Sequence, residues 1–192
     1  MYKLCKTEQS AARQRALEMG LLAAMQTRRY EDINISDLCH RMGIPRKSFY
    51  RYFSGKDGAL HALIDHTLME YESFAGRHER EKRTLTGDLE QYFLFWLEQK
   101  VLLDALERSG MSGILIERTI RHAISEAVLP QRFMTQENRQ MQQHVIKFAV
   151  CGLTTIVLHW HHDGYKESPR SLATVAERLL TQPLFPEASQ LL

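Results

Sequence analysis

Apolar positions in this chain recur at helical spacing, and no stretch alternates with the period of two expected of a strand. Leu17, Leu21, Leu22 and Met25 stand at i, i+4, i+5 and i+8 and predict a first helix over about Thr7 to Thr27. After the break "RRYEDIN", Ile35, Leu38, Cys39 and Met42 form one face of a helix of about two turns. Asn34 is placed to cap that helix, with Asp37 three residues on to complete a capping box. Gly43 stands where a glycine ends a helix through positive φ. Pro45 suits the first position of the next helix, which runs to about Tyr52. Beyond the loop "SGKDG", Leu60, Leu63, Ile64, Leu68 and Tyr71 restore the helical period. Two helices joined by a short turn around a glycine make a helix-turn-helix.

The polar tract "GRHEREKRTLTGD", Gly76 to Asp88, is the expected joint between a small head and a larger body. Four more helical segments follow it: Leu89 to about Arg108, Met111 to Val128, Gln136 to His162, and Pro169 to about Thr181. Ser168 and Pro169 make a cap and first-turn pair for the last of these. The expected fold class is all-α, without internal repeats.

The stretch "MGIPRKSFYRYFSGKDGAL", Met42 to Leu60, mixes aromatic and basic residues closely. On a helical wheel the mixture separates. Phe49 and Phe53 fall side by side with Tyr52 at their edge, and Arg46, Lys47, Tyr50 and Arg51 gather opposite. One face is therefore expected to enter a core and the other to point out. An outward basic face of this width fits a DNA major groove, which admits one α-helix. Arg46, Lys47 and Ser48 lie in the first turn, where base edges are reached, and Tyr50 offers a hydroxyl to a phosphate. Lys56 opens the following helix and Ser36 the preceding one, both expected at phosphates. An ordinary solvated basic face is the alternative reading of the same residues.

Charge partition agrees with a polyanion met by the head alone. Residues 1–58 hold 11 Lys+Arg against 6 Asp+Glu, whereas the remainder holds 14 against 17. No apolar run reaches membrane-spanning length, and the first residues lack the apolar core of a secretory signal. Cys5, Cys39 and Cys151 are odd in number and lack zinc-site spacing, which points to a reducing, cytoplasmic setting.

The run "YEDINISDLCHRMGIPRKSFYRYFSGKDGALHAL" makes Leu17 to about Leu63 resemble the N-terminal domain of TetR-type (tetracycline-repressor-like) transcriptional regulators. It contains the β-branched entry to the second helix, the "GI" turn, the aromatic run "FYRYF", and a lysine three residues past it. The resemblance implies a three-helix DNA-binding domain over 1–58 and a helical ligand-binding and dimerisation domain over 59–192. It places Arg46, Lys47 and Ser48 at base-reading positions and Tyr50 and Lys56 at phosphate-clamp positions. Two residues depart from the pattern: Pro45 replaces the usual Ser/Thr/Asn cap, and Lys47 stands where a small residue is commoner.

The same resemblance implies a homodimer joined through the last two helices, binding a pseudo-palindromic double-stranded operator, a repressor released by an unknown small-molecule effector. In "VIKFAVCGLTTIVLHW", Val145 to Trp160, apolar residues cover almost the whole circumference, which fits a helix buried by a partner or within one chain. Gly152 would allow close approach, and Trp160, Gly164, Ser168 and Pro169 resemble the end of one C-terminal subclass. Trp96, His122 and Phe148, with Phe93 and Phe133, are candidates to line an effector pocket, or plain core. His159, His161 and His162 read as a solvated or interface cluster, or as part of a metal site. No nucleophile–base set, phosphate loop or metalloprotease motif appears, so neither an enzyme nor a cofactor is expected. A helical module that keeps the fold but has lost operator binding is the alternative function.

Overall fold

The computed structural model describes residues 2–3, 5, 7–76, 84–125 and 141–182. Side-chain caps start several of its helices. Thr7 accepts the Ser10 N–H (3.2 Å) at the start of α1 (Glu8–Met25), and Asn34 accepts the Asp37 N–H (2.8 Å) at the start of α2 (Ile35–Arg41). Asp37 closes only part of the expected capping box, because its carboxylate takes the Asn34 side-chain amide (2.8 Å). A short 3-10 turn, Tyr30–Asp32, lies between these helices, in the segment "RRYEDIN". Gly43 ends α2 with φ +64°, as expected of a glycine there.

Helix α3 is Arg46–Tyr52, and α4 is Lys56–Gly76. Pro45 sits one place earlier than expected. It is the N-cap, extended at φ −67° and ψ 141°, and its carbonyl takes the Ser48 N–H at 2.9 Å. The body contains α5 (Leu85–Glu98), α6 (Lys100–Arg108), α7 (Ser112–Ser125), α8 (Gln142–His162) and α9 (Pro169–Thr181). The helix expected over Leu89 to Arg108 is thus two, broken at Gln99. No Gly or Pro marks this elbow; α6 turns so that Leu102, Leu103, Ala105 and Leu106 are all buried, with α1, α7 and α8 as its neighbours. The helix ends expected at Val128 and Gln136, Phe133, and residues 77–83 of the expected joint lie outside the described residues.

Helix α4 carries the chain across the boundary expected near residue 58, packing on α1, α5 and α7. A continuous apolar cluster runs from Leu17 to Ala176, so the head and body share a core. Phe49, Phe53, Leu21, Leu60 and Leu63 fill its head end; Phe93, Trp96, Leu103 and Val157 fill the body end. The α8–α9 corner explains the Trp160–Pro169 motif. Gly164 turns at φ +73°, the Trp160 indole donates to the Glu167 carbonyl (2.9 Å), and Ser168 caps α9 through the Ser171 N–H (3.1 Å).

Buried ion pairs tie these layers together. Arg118 of α7 binds the Asp65 carboxylate of α4 through Nε (2.7 Å) and Nη2, and the Tyr2 hydroxyl donates to the same carboxylate (2.7 Å). Glu18 of α1 is fully buried between Arg15 (3.2 Å) and His66 Nδ1 of α4 (2.9 Å). Burial and the Asp65 carboxylate both raise the Tyr2 hydroxyl pKa well above the usual phenol range.

Two expected outcomes follow from this packing. Phe49→Ala should cost about 3–5 kcal/mol of stability, because the ring is wholly buried. Asp65→Ala should cost about 3–5 kcal/mol by stranding the Arg118 charge. Urea unfolding of each variant measures both losses.

Candidate nucleic-acid interface

In α3 the sequence interleaving becomes segregation in space. Phe49 and Phe53 are buried with ring centroids 5.1 Å apart, and Tyr52 is buried at their edge. The opposite side is open: Arg46, Lys47 and Arg51 are exposed, Tyr50 is 44% exposed, and Ser48 is half-buried. Arg46 lies 5.9 Å from the Tyr50 ring centroid, so the two side chains stand together one turn apart. Among the described residues no carboxylate pairs with Arg46, Lys47 or Arg51. Ser36 is exposed in the first turn of α2, and Arg41 is exposed at that helix's end.

Ser36 is thus exposed on α2, and Arg46, Lys47 and Tyr50 on α3 with Ser48 half-buried beside them. An outward arginine there can reach guanine O6 and N7, and hydroxyls and ammonium groups beside it can hold phosphates. Burial pushes the Cys39 thiol pKa up beneath this face, so the residue serves as core. All three cysteines are free.

Lys56 makes contacts that the sequence did not reveal. Its ammonium donates to the carbonyls of Tyr30 (2.5 Å), Ile33 (2.7 Å) and Glu31 (3.3 Å), and lies 4.3 Å from the Tyr30 ring centroid. These three acceptors use all the donors of the ammonium of this half-buried residue. Sequence reasoning missed this because "RRYEDIN" carries no helical period, so the 3-10 turn and its exposed carbonyls were invisible.

The candidate effector residues do not come together. Trp96 is buried against Tyr92 (6.3 Å) and Phe95 (5.5 Å), inside the aromatic core that also holds Phe93. His122 faces α4, with Nε2 3.0 Å from Glu72. Phe148 is 68% exposed, on the outward side of α8. A cleft of about 370 Å³ instead opens between α1, α4 and the α5–α6 elbow, walled by Met19, Leu22, Leu63, Val101 and Leu102 with Glu98 among its polar residues.

The histidine cluster gains partners that the sequence did not reveal. His161 is buried, with Nδ1 2.8 Å from the Tyr165 hydroxyl and Nε2 3.2–3.3 Å from Glu107 and Asp104 of α6. His162 Nδ1 lies 2.6 Å from Glu107, whose carboxylate raises the imidazole pKa above its usual value. Among the described residues no group of three His, Cys, Asp or Glu is arranged to hold a metal ion.

No family model matches the chain, and no curated protein is similar to it in sequence. Solved structures do match in fold. The dihydroxyacetone kinase operon activator DhaS superposes with TM-score 0.57 at 13% identity, over 88% of this chain and 93% of that one. A TetR-family transcriptional regulator from Streptomyces coelicolor gives TM-score 0.57 at 20% identity, over 88% and 79%. The fatty acid degradation regulator FadR from Bacillus halodurans gives 0.54 at 13% identity, over 94% and 98%. The chain has the all-α fold of these regulators.

Arg46 has the Tyr50 ring as a cation–π neighbour at 5.9 Å and no described carboxylate competing for its charge. Tyr50→Ala should therefore leave Arg46 unsupported and lower its order; side-chain Nε relaxation of Arg46 by NMR measures the change.

Proposed function

We propose that this protein is a DNA-binding transcriptional regulator, acting in the cytoplasm as a repressor rather than as a catalyst. The observation that carries the reading is the exposed cationic face of α3, held outward by two buried phenylalanines. Arg46, Lys47 and Ser48 read base edges in the major groove, while Tyr50 and Ser36 hold phosphates. The fold shared with helical transcription regulators supports the same conclusion.

The working unit in this reading is a homodimer formed through α8 and α9. Phe148, Gly152 and Thr155 recur along one exposed side of α8, with Met141 exposed just before its first turn, and Val175 and Leu179 stand exposed one turn apart on α9. Among the described residues nothing lies within 4 Å of the space that a Cβ at Gly152 would fill, so packing within one chain does not require glycine there. Close approach of a second helix does. Two copies then present α3 to successive major grooves, roughly 34–36 Å apart, on a pseudo-palindrome. Residues 1–58 supply the reading head, residues 59–192 the dimer and the uptake of a small effector, with Trp96 and His122 in the body interior.

Three outcomes test this function. Sedimentation at micromolar concentration should give twice the 22.4 kDa chain mass, and Phe148→Glu should shift it toward one chain. On a duplex selected by the protein from random DNA, Arg46→Ala should lose about 1–3 kcal/mol of discrimination at one base pair per half-site. Tyr50→Phe should weaken binding to all sequences alike, as removing a phosphate ligand does. A gel shift that finds no selected duplex would reject the reading.

A further inference from the structure

The end of α6 and the start of α4 both grip the segment that follows α1. From the body, Arg108 donates to the carbonyls of Met25 (3.3 Å) and Gln26 at the end of α1. Its neighbour Ser109 accepts the buried Tyr30 N–H through Oγ at 3.1 Å. From α4, the Lys56 ammonium holds the carbonyls of Tyr30 and Glu31 in the 3-10 turn and of Ile33 just after it, and Asp57 accepts the Tyr30 hydroxyl at 2.5 Å. Tyr30 is 7% exposed and Ser109 8%. Only Phe53, Ser54 and Gly55 separate the last residue of α3 from Lys56. Whatever fixes Lys56 relative to the body therefore fixes the exit of the recognition helix.

We propose that Lys56 is a positioning residue. With Tyr30 and Ser109 it braces the recognition helix against α6, and its ammonium does not touch DNA. The inference rests on the DNA-binding reading above and gives Lys56 a role other than the phosphate contact that the family resemblance implies. Three carbonyls converge on one compact ammonium, a geometry that lysine's point charge fills and arginine's planar fork does not. A DNA phosphate would accept either residue.

The brace acts by pre-organisation. Without it the head samples several tilts, and binding must select one, which lowers affinity without changing how many phosphates are neutralised. Affinity and salt dependence thus separate the two roles. Removing a cation that neutralises a phosphate reduces the slope of log K against log salt by about 0.9 per site, whereas removing a brace leaves the slope unchanged.

The test compares wild type, Lys56→Ala, Lys56→Arg and Ser109→Ala on the selected duplex at several salt concentrations. Amide exchange at Tyr30 is followed in the same proteins without DNA. The expected result is an affinity loss of about tenfold for Lys56→Ala at unchanged slope, with no rescue by Lys56→Arg. Ser109→Ala should lose about threefold at unchanged slope, and its Tyr30 amide should exchange about tenfold faster for want of an acceptor. Wild-type affinity in Lys56→Arg, together with a slope lowered by about 0.9 in Lys56→Ala, would overturn the proposal. If wild type selects no duplex, the regulator reading fails. The brace is then decided by Tyr30 exchange alone, and unchanged exchange in both Lys56→Ala and Ser109→Ala overturns it.

Discussion

The burial of Phe49 and Phe53 is the constraint on which the rest depends. A seven-residue helix is too short to hold itself together in water, and α3 has no side-chain cap at Pro45. Its stability is borrowed from the head core, the buried cluster that the two rings share with Leu21, Met25, Leu38 and Leu60. The same anchoring fixes which side faces out. Rotating α3 by even one residue position would bring Tyr50 or Arg51 inward and expose an aromatic ring, at a cost no neighbouring group offsets. Orientation of the cationic face is thus a consequence of core packing rather than of any interaction that the face itself makes.

That anchoring reaches the body through polar pairs as well as through the shared core. Asp65 with Arg118, Glu18 with His66, and the Tyr30 turn with Ser109 and Arg108 join helices far apart in sequence. Buried polar pairs of this kind are unforgiving of displacement, because a small shift strands a charge or an amide. The cleft between α1, α4 and the α5–α6 elbow lies beside this set, at Arg15, Leu63 and Thr67.

Much of the architecture was legible because its signals are local. The Asn34 cap, the Gly43 turn, the Ser168–Pro169 pair and the wheel of α3 each depend on a few adjacent residues, and the structure places them as expected. Features set by distant partners were not legible. Gln99 breaks a helix without any breaker residue, since the bend is dictated by where α6 buries its leucines. Lys56 sits at a clamp position by resemblance, but a 3-10 turn 26 residues earlier claims its ammonium. Phe148 reads as core from its apolar neighbours, yet it lies on the outward side of α8. His161 and His162 meet Asp104 and Glu107 only once α6 folds back onto α8.

The central claim is that the side of α3 opposite the phenylalanines lies in a DNA major groove. Methylation interference on a bound duplex addresses it directly, since methyl groups on guanine N7 block that groove alone. The account predicts interference confined to two patches on one side of the duplex, about one helical turn apart and related by a pseudo-dyad. Interference that is absent, or binding blocked instead by minor-groove methylation of adenine, would contradict it.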